Sequence, residues 1–513
     1  MKIKIFDGHN VIGGNKIFVE SKSGQSFILD FGKNFKQFSQ YFEEFLTPRA
    51  GAGLHDFWKL NLIPHLKGLY REGLLYYVKD EVDKALTINP VAVFVSHGHM
   101  DHFGYISFLR EDIPIIATPI THHIIKAYQD TGNQSFFEEF YIVSNVAFTN
   151  GVKEQKLKKD TDNKIERNFR YPKVSSKSEN KVSFESEELG DFKYRVFEVD
   201  HSVLGASSIY FEVDGIKVAY TGDIRFHGKG AHKTEEFFEF LSQNGVDVLL
   251  IEGTRINENS LQKLDEPQLR EEDIKQNAIK VVNSNKGKLV IADFGARNIE
   301  RLEIFFEIAK ETGRRLAITM KDAYLLNLLK SDGVNIIDEA NIVIIESKRE
   351  QNRAWTKEIN KNDAYKDRFV TISEIGKSPQ DYIVCYSFWD MPNLLDIEIN
   401  GGAYIYSTSE AYTEEQMFDT HRLLNWISTF NLTPYGLEVG DDAIPTFTRE
   451  YHVSGHASPR DLLKHIEIAK PRYIIPIHTE NLLSYRDLLR SKLGYNFQII
   501  TETDQSGILT FDL

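Results

Sequence analysis

The first residues alternate strictly. Met1-Lys2-Ile3-Lys4-Ile5-Phe6 puts apolar side chains on one face and polar ones on the other, the pattern of a half-buried strand. Short strands are predicted at 3–7, 15–20 and 26–31, with Gly13-Gly14 as a tight turn between the first two. Residues 35–85 carry Phe35, Phe38, Tyr41, Phe42 and Phe45 at mixed helical spacing, so a packed, mostly helical insertion is expected there. Val91-Ala92-Val93-Phe94-Val95 is apolar throughout and reads as a strand covered on both faces. A helix at 103–110, a strand at 114–117 and a helix at 119–129 follow. Strands return at 192–199, 207–213 and 216–221, the last two joined by an Asp214-Gly215 hairpin turn. A helix at 233–243 leads to a strand at 247–251. From about 260 to 445, helices (269–283, 298–312, 322–330) alternate with strands (288–292, 315–319, 341–345), the signature of a parallel sheet. A strand at 473–477 ends at His478.

At 513 residues the chain is too long for one ordinary core. Three segments are expected: 1–255, an α/β insert at 256–445, and 446–513 completing the first. The composition, 41% hydrophobic and 27% charged, is that of a globular protein. The single cysteine, Cys385, lies in a strand pattern and reads as a packed core thiol; it rules out an intrachain disulfide framework. With no signal-like or membrane-spanning apolar run, a cytoplasmic protein without membrane partners is expected. A net charge of −14 requires any polyanion to bind at a local basic feature. One such feature is the stretch 152–182, with Lys153, Lys156, Lys158, Lys159, Lys164, Arg167, Arg170 and Lys173. It reads as a mobile, solvated basic loop, with a flap that guides a polyanion as the sharper alternative.

The chemistry concentrates in Ser96-His97-Gly98-His99-Met100-Asp101-His102, just past the strand 91–95. Imidazoles and a carboxylate suit zinc and similar divalent ions. The H-x-H-x-D-H order lets the first two histidines serve one ion, and Asp101 with His102 a second. Three further ligand candidates also end apolar strands: His201, Asp223 after Gly222, and His478. Building a site from distant strand ends is how α/β proteins assemble one. His55 and His65, inside the aromatic insertion, read as surface or core histidines, and Arg225 and His227 as either phosphate contacts or structural residues.

Taken together, Phe27-Ile28-Leu29-Asp30-Phe31-Gly32, the H-G-H-M-D-H run, His201 and Thr221-Gly222-Asp223 resemble the metallo-β-lactamase superfamily. The α/β insert, Val453-Ser454-Gly455-His456-Ala457-Ser458 and Pro476-Ile477-His478-Thr479-Glu480 narrow the resemblance to the ribonuclease J-like β-CASP branch. It implies an αββα sandwich with an inserted β-CASP α/β domain and a dinuclear zinc site, manganese being the alternative metal. By that resemblance His97, His99 and His201 hold one zinc, Asp101, His102 and His478 the other, and Asp223 bridges them. Asp30 orients the histidine loop from behind, and Glu252 pairs with His456, which contacts the scissile phosphate or protonates the leaving oxygen. Asp101, His456 and Glu252 are the expected catalytic residues. Gly401-Gly402-Ala403-Tyr404-Ile405-Tyr406-Ser407-Thr408-Ser409 is similar to a serine turn of these ribonucleases, which adds Ser407 and Ser409 to His456 as substrate contacts.

The chain departs from the family at three points. Only 35 residues follow His478, so the further C-terminal domain of ribonuclease J is expected to be absent. Cys385-Tyr386-Ser387-Phe388-Trp389-Asp390 stands in place of the glycine-rich phosphate-binding turn; its aromatics read as core packing, with base stacking as the alternative. The last motif is H-T-E rather than H-G-E. The expected activity is hydrolysis of phosphodiester bonds in RNA or single-stranded DNA. A small-molecule ester, thioester or lactone hydrolase is the alternative, and a noncatalytic scaffold ranks third. A homodimer is an open expectation.

Overall fold

A computed structural model describes all residues except 44, 134, 150–155, 179–180, 263, 265–267, 296, 347–352, 409–413 and 440–444. The chain divides into two units. One comprises Met1–Glu266 and Gly455–Leu513, the other Pro267–Ser454. The second unit thus begins and ends later than the 256–445 read from the sequence. Its C-terminal limit moves because Pro445–Phe447 pairs antiparallel with Leu437–Val439 and so stays with the insert.

The first unit contains two seven-stranded sheets. One has the order Phe169–Arg170, Ile115–Ile116, Asn89–Phe94, Gln25–Phe31, Lys16–Glu20, Lys2–Asp7, Leu509–Asp512. The other runs Glu187–Leu189, Phe192–Glu198, Ser207–Val213, Ile216–Tyr220, Val248–Glu252, Tyr473–Ile477, Gln498–Ile499. Period-two alternation decides which side chains meet where. Phe27 and Leu29 join a core shared with Phe211, Tyr220, Leu250 and Ile475 of the second sheet. Ile28, between them, packs the other way, against Trp58, Phe103 and Phe108. The outer face of the second sheet is covered by the helices Ala231–Asn244, Pro459–Ala469 and Leu482–Lys492 through Phe237, Leu462 and Leu488. These four layers are the expected αββα sandwich.

The second unit is a seven-stranded sheet, ordered Phe369–Val370, Ile342–Ile345, Arg315–Ile318, Tyr382–Cys385, Leu289–Asp293, Gly402–Tyr406, Leu432–Tyr435, with every neighbouring pair parallel. Among the described residues no helix is long and apolar enough to cross a membrane.

Four expectations are corrected. Residues 35–85 form short turns of helix (Phe35–Phe38, His55–Lys59, Glu72–Val78, Lys79–Val82) rather than a mostly helical insertion. Pro48, Pro64 and several glycines interrupt them; Phe42, Phe57, Trp58 and Tyr70 join the core while Phe35, Tyr41 and Phe45 stay exposed, so no helical stripe forms. The helix expected at 103–110 is Met100–Phe103 followed by a 3-10 turn at Ile106–Phe108. The stretch 152–182, where described, is strand: Leu157–Glu166 pairs with Ile142–Phe148, Phe169–Arg170 closes the sheet edge, and Val174–Ser178 pairs with Lys181–Phe184. Lys153 lies outside the described residues. Finally, Tyr386 is buried and Phe388 packs on the second unit's core, but Trp389 is 72% exposed.

Two consequences for stability can be measured. Phe27 is fully buried, with its ring 5.3 Å from Phe192 and stacked at 5.9 Å on Phe211 of the facing sheet. Phe27→Ala should cost about 3–5 kcal/mol in denaturant unfolding; a loss below about 1.5 kcal/mol would mean that the two sheets are not joined through this ring. In the second unit, burial pushes the Asp293 carboxyl up from 3.8 to about 7, against the hydrogen bond its Oδ2 accepts from the Tyr404 hydroxyl at 2.6 Å. A carboxyl raised on folding favours the native state at low pH, so this contribution is lost as pH rises through about 7. Unfolding of the second unit should therefore become easier from about pH 4 up to about pH 7, and Asp293→Asn should flatten that dependence. Identical pH profiles for the two proteins would disprove it.

Candidate metal centre

Each sequence-predicted ligand sits where a strand of the first unit runs out. Asn89–Phe94 delivers the loop Ser96–His102, Phe192–Glu198 delivers His201, Ile216–Tyr220 delivers Asp223, and Tyr473–Ile477 delivers His478. Two trios form. Nδ1 of His99 lies 3.1 Å from Nε2 of His97 and 3.2 Å from Nε2 of His201. Nε2 of His478 lies 3.2 Å from Oδ2 of Asp101, which is 3.8 Å from Nε2 of His102. Asp223 Oδ2 stands between the trios, 3.1 Å from His102 Nε2, 3.6 Å from His478, 3.7 Å from His97 and 3.9 Å from His201.

The rings are aimed by what their other nitrogen does. His102 Nδ1 donates to Asp30 at 2.7 Å, and His201 Nδ1 donates to the Gly455 carbonyl at 2.6 Å. Ser96 Oγ gives its hydrogen to Asp30 at 2.8 Å, so it accepts from His97 Nδ1 at 3.0 Å. Thr254 Oγ1 gives its hydrogen to Glu252 at 2.7 Å and so accepts from His478 Nδ1 at 2.8 Å. In all four rings Nδ1–H is held by its partner and Nε2 faces the cluster, the orientation that metal ligation requires. Gly13, at φ +82°, lets the N-terminal loop pass close to the site: a Cβ there would sit 2.6 Å from Asp101 Oδ2. His478 itself adopts φ +50°, with its N–H donating to the Gly8 carbonyl at 2.6 Å.

The electrostatics favour cations. Burial holds His97 and His201 well below the usual imidazole range and lowers His99 to about 4, so these rings are neutral donors. Burial would also lower His102, but the carboxylates of Asp223, Asp101 and Asp30 outweigh it and raise its pKa. Asp223, against its own burial, is held well below the carboxylate range by His102 and His478. Two buried ligand atoms, His102 Nε2 and Asp223 Oδ1, make no hydrogen bond. His102 Nε2 is near Asp223 Oδ2 but not in hydrogen-bonding geometry. Orphaned buried donors and acceptors are costly unless something else fills them. With the histidine-carboxylate composition of both trios, the residues fit metal ions.

His456 and Glu252 lie beside this cluster. His456 Nδ1 is 3.2 Å from Glu252 and 3.9 Å from Asp223 Oδ2. Glu252 is fully buried and also accepts from the backbone N–H of Ile224 at 3.0 Å. Burial opposes protonation of His456, but Glu252 and Asp223 raise its pKa. Thr254, which joins Glu252, His456 and His478, was not singled out from the sequence, although it stands two residues past Glu252.

Not every expected contact lies here. Ser407 belongs to the second unit. It is buried, accepts from Arg301 and donates to the Tyr451 carbonyl at 2.5 Å. Ser409 lies outside the described residues. His65 stacks on Trp58 at 4.3 Å, and His55 joins Arg49 and Asp56; both serve the aromatic layer. Arg225 is fully buried against Asp200 at 3.1 Å, a structural pair.

Residues 448–500, which carry His456 and His478, match the family described as a Zn-dependent metallo-hydrolase RNA specificity domain. Ribonuclease J 2 of Streptococcus pyogenes is 22% identical over 417 residues, covering 80% of this chain and 62% of that protein. Ribonuclease J of Pyrococcus abyssi is 23% identical over 428 residues, covering 79% of this chain and 78% of that one. The chain thus spans about six tenths of the length of the streptococcal relative. A solved structure of a protein of unknown function from Enterococcus faecalis shares the fold across both units, with a TM-score of 0.67, 20% identity and 99% of each chain covered. These similarities bear out the resemblance read from the sequence motifs: the chain is similar to the ribonuclease J-like, β-CASP branch of the metallo-β-lactamase superfamily.

Proposed function

We propose that the chain is a metal-dependent phosphodiester hydrolase acting on RNA in the cytoplasm. The observation that carries this reading is the meeting of two ligand trios at Asp223 with the His456–Glu252 pair beside them. His97, His99 and His201 would hold one ion and Asp101, His102 and His478 the other, with Asp223 shared; zinc suits this donor set, and manganese is the alternative. Bound divalent ions supply charge neutralisation at phosphoryl oxygens and a water of lowered pKa.

The remaining work falls to the chain. His456, charged beside Glu252, is suited to give its proton to the departing sugar oxygen as the P–O bond breaks. Glu252 keeps that imidazole charged and oriented, and is itself fixed by Ile224 and Thr254. Thr254 couples the two halves of the site. Its hydrogen goes to Glu252, and its lone pairs face both His478 and His456. It is a positioning residue: it sets the His478 tautomer without touching substrate.

Three outcomes are expected. Metal-loaded protein should cleave 5′-labelled single-stranded RNA, and a chelator should abolish cleavage. His456→Ala should keep its metal content and lose about 10²–10⁴-fold in kcat, while Asp101→Ala should lose metal. Full metal content with no cleavage of RNA or DNA, alongside turnover of a small ester, would sink the nuclease reading. Thr254→Val should weaken metal binding about 10–100-fold by competitive titration, and Thr254→Ser should restore it. Equal affinity in Thr254→Val and wild type would remove Thr254 from this role.

A further inference from the structure

Beyond the metal centre, the nuclease reading leaves open where a substrate strand lies. The protein is acidic overall, yet Lys156, Lys158, Lys164, Arg170 and Lys173 are all exposed on one folded stretch of the first unit. Phe169–Arg170 pairs in parallel with Ile115–Ile116, which pairs in parallel with Asn89–Phe94. Three parallel strands therefore finish at the same end of the sheet. The ligand loop leaves that end after Asn89–Phe94, and Tyr171 leaves it after Arg170. Two strand spacings, on the order of 10 Å, separate them.

The helix Pro119–Thr131 bridges this interval. Its Ile124 fills the space beneath Gly98, where a Cβ would come within 2.6 Å. Its Thr121 hydroxyl donates at 3.0 Å to the carbonyl of Gly205, in the loop after His201. The same helix carries His122, stacked on Phe169 at 4.0 Å and 13°, and His123, whose ring lies 5.8 Å from that of His122. His122 Nδ1 lies 2.7 Å from the Tyr171 hydroxyl. Tyr171 is thus fixed at its hydroxyl while its ring stays 45% exposed. Lys173 is 70% exposed, and its only nearby carboxylate among the described ion pairs is Glu187, at 3.9 Å.

An exposed ring held in place, flanked by cations, is the combination that binds single-stranded nucleic acid: the ring stacks on a base and the cation meets the phosphate. We propose that Tyr171 and Arg170 form a track for single-stranded RNA along this end of the sheet, outside the metal centre. Tyr171 stacks on a base, Arg170 and Lys173 meet the backbone, and His122 positions the tyrosine. The proposal rests on the nuclease reading and names where its substrate strand runs.

The test uses full-length, metal-loaded protein and a cleavage-resistant 2′-O-methyl oligonucleotide followed by fluorescence anisotropy. Tyr171→Ala should raise Kd roughly tenfold, and Tyr171→Phe, which keeps the ring but loses the hydroxyl held by His122, should fall between Tyr171→Ala and wild type. Arg170→Gln should lower the slope of log Kd against log salt by about 0.7, the share of one phosphate contact on a single strand. If wild type cleaves RNA but Tyr171→Ala and Arg170→Gln bind with unchanged Kd and slope, the track is wrong and the nuclease reading stands. If wild type neither binds nor cleaves RNA, the nuclease reading fails and takes the track with it. Should Tyr171→Ala lower the melting temperature markedly, the salt slope of Arg170→Gln decides alone.

Discussion

The site depends on one buried carboxylate. Asp30, next to last in the strand Gln25–Phe31, has φ +57°, a left-handed conformation uncommon for residues other than glycine. Four donors hold its carboxylate: the backbone N–H and hydroxyl of Ser96 at 2.7 and 2.8 Å, His102 Nδ1 at 2.7 Å, and the Tyr220 hydroxyl. Ser96 and His102 belong to the ligand loop, and Tyr220 belongs to the facing sheet. A fully buried charge without partners would be prohibitive; here each donor is also a tether. The same carboxylate sets the tautomer of His102 directly and that of His97 through Ser96. Geometry and protonation at the metal centre thus follow from the way the two sheets close on each other.

Much of this was legible in the sequence, because ligands placed immediately after apolar strands announce themselves. His97, His201, Asp223 and His478 each follow a run whose burial the hydrophobic pattern predicts, so their convergence needed only the sheet order. Thr254 was not legible for a physical reason. Its role comes from one hydroxyl hydrogen being claimed by Glu252, which leaves lone pairs for two histidines that lie more than two hundred residues away in sequence. The partner of His201 was equally hidden, since a backbone carbonyl, that of Gly455, carries no side-chain signature.

The errors also have causes. The aromatic run at 35–85 resembled helix by its spacing, but Phe42, Phe57, Trp58 and Tyr70 are held in the core from separate short turns while Phe35, Tyr41 and Phe45 stay exposed, which a helical period does not describe. The basic stretch at 152–182 looked solvated because it is polar. Its strands are edge and hairpin strands, which bury little, and pairing rather than hydrophobicity orders them. Trp389 was expected inside on grounds of residue type alone. Phe388 takes the core position instead and leaves the indole outside.

Charge distribution links these observations to function. A chain at −14 would repel a polyanion at long range, so the proposed RNA substrate would have to be drawn in locally. The cluster around Asp223 raises the pKa of His102 and His456 and lowers that of Asp101, which makes it a sink for positive charge rather than a source. Loaded with cations it attracts phosphate only at contact range, because salt screens what lies beyond about 10 Å. Capture of the strand outside that radius then requires cations carried on separate elements. Arg170, on the strand that ends two positions from the ligand-loop strand, and Lys173 just after it are the proposed source, which would give a stretch that adds little to the hydrophobic core a part in how the site is used.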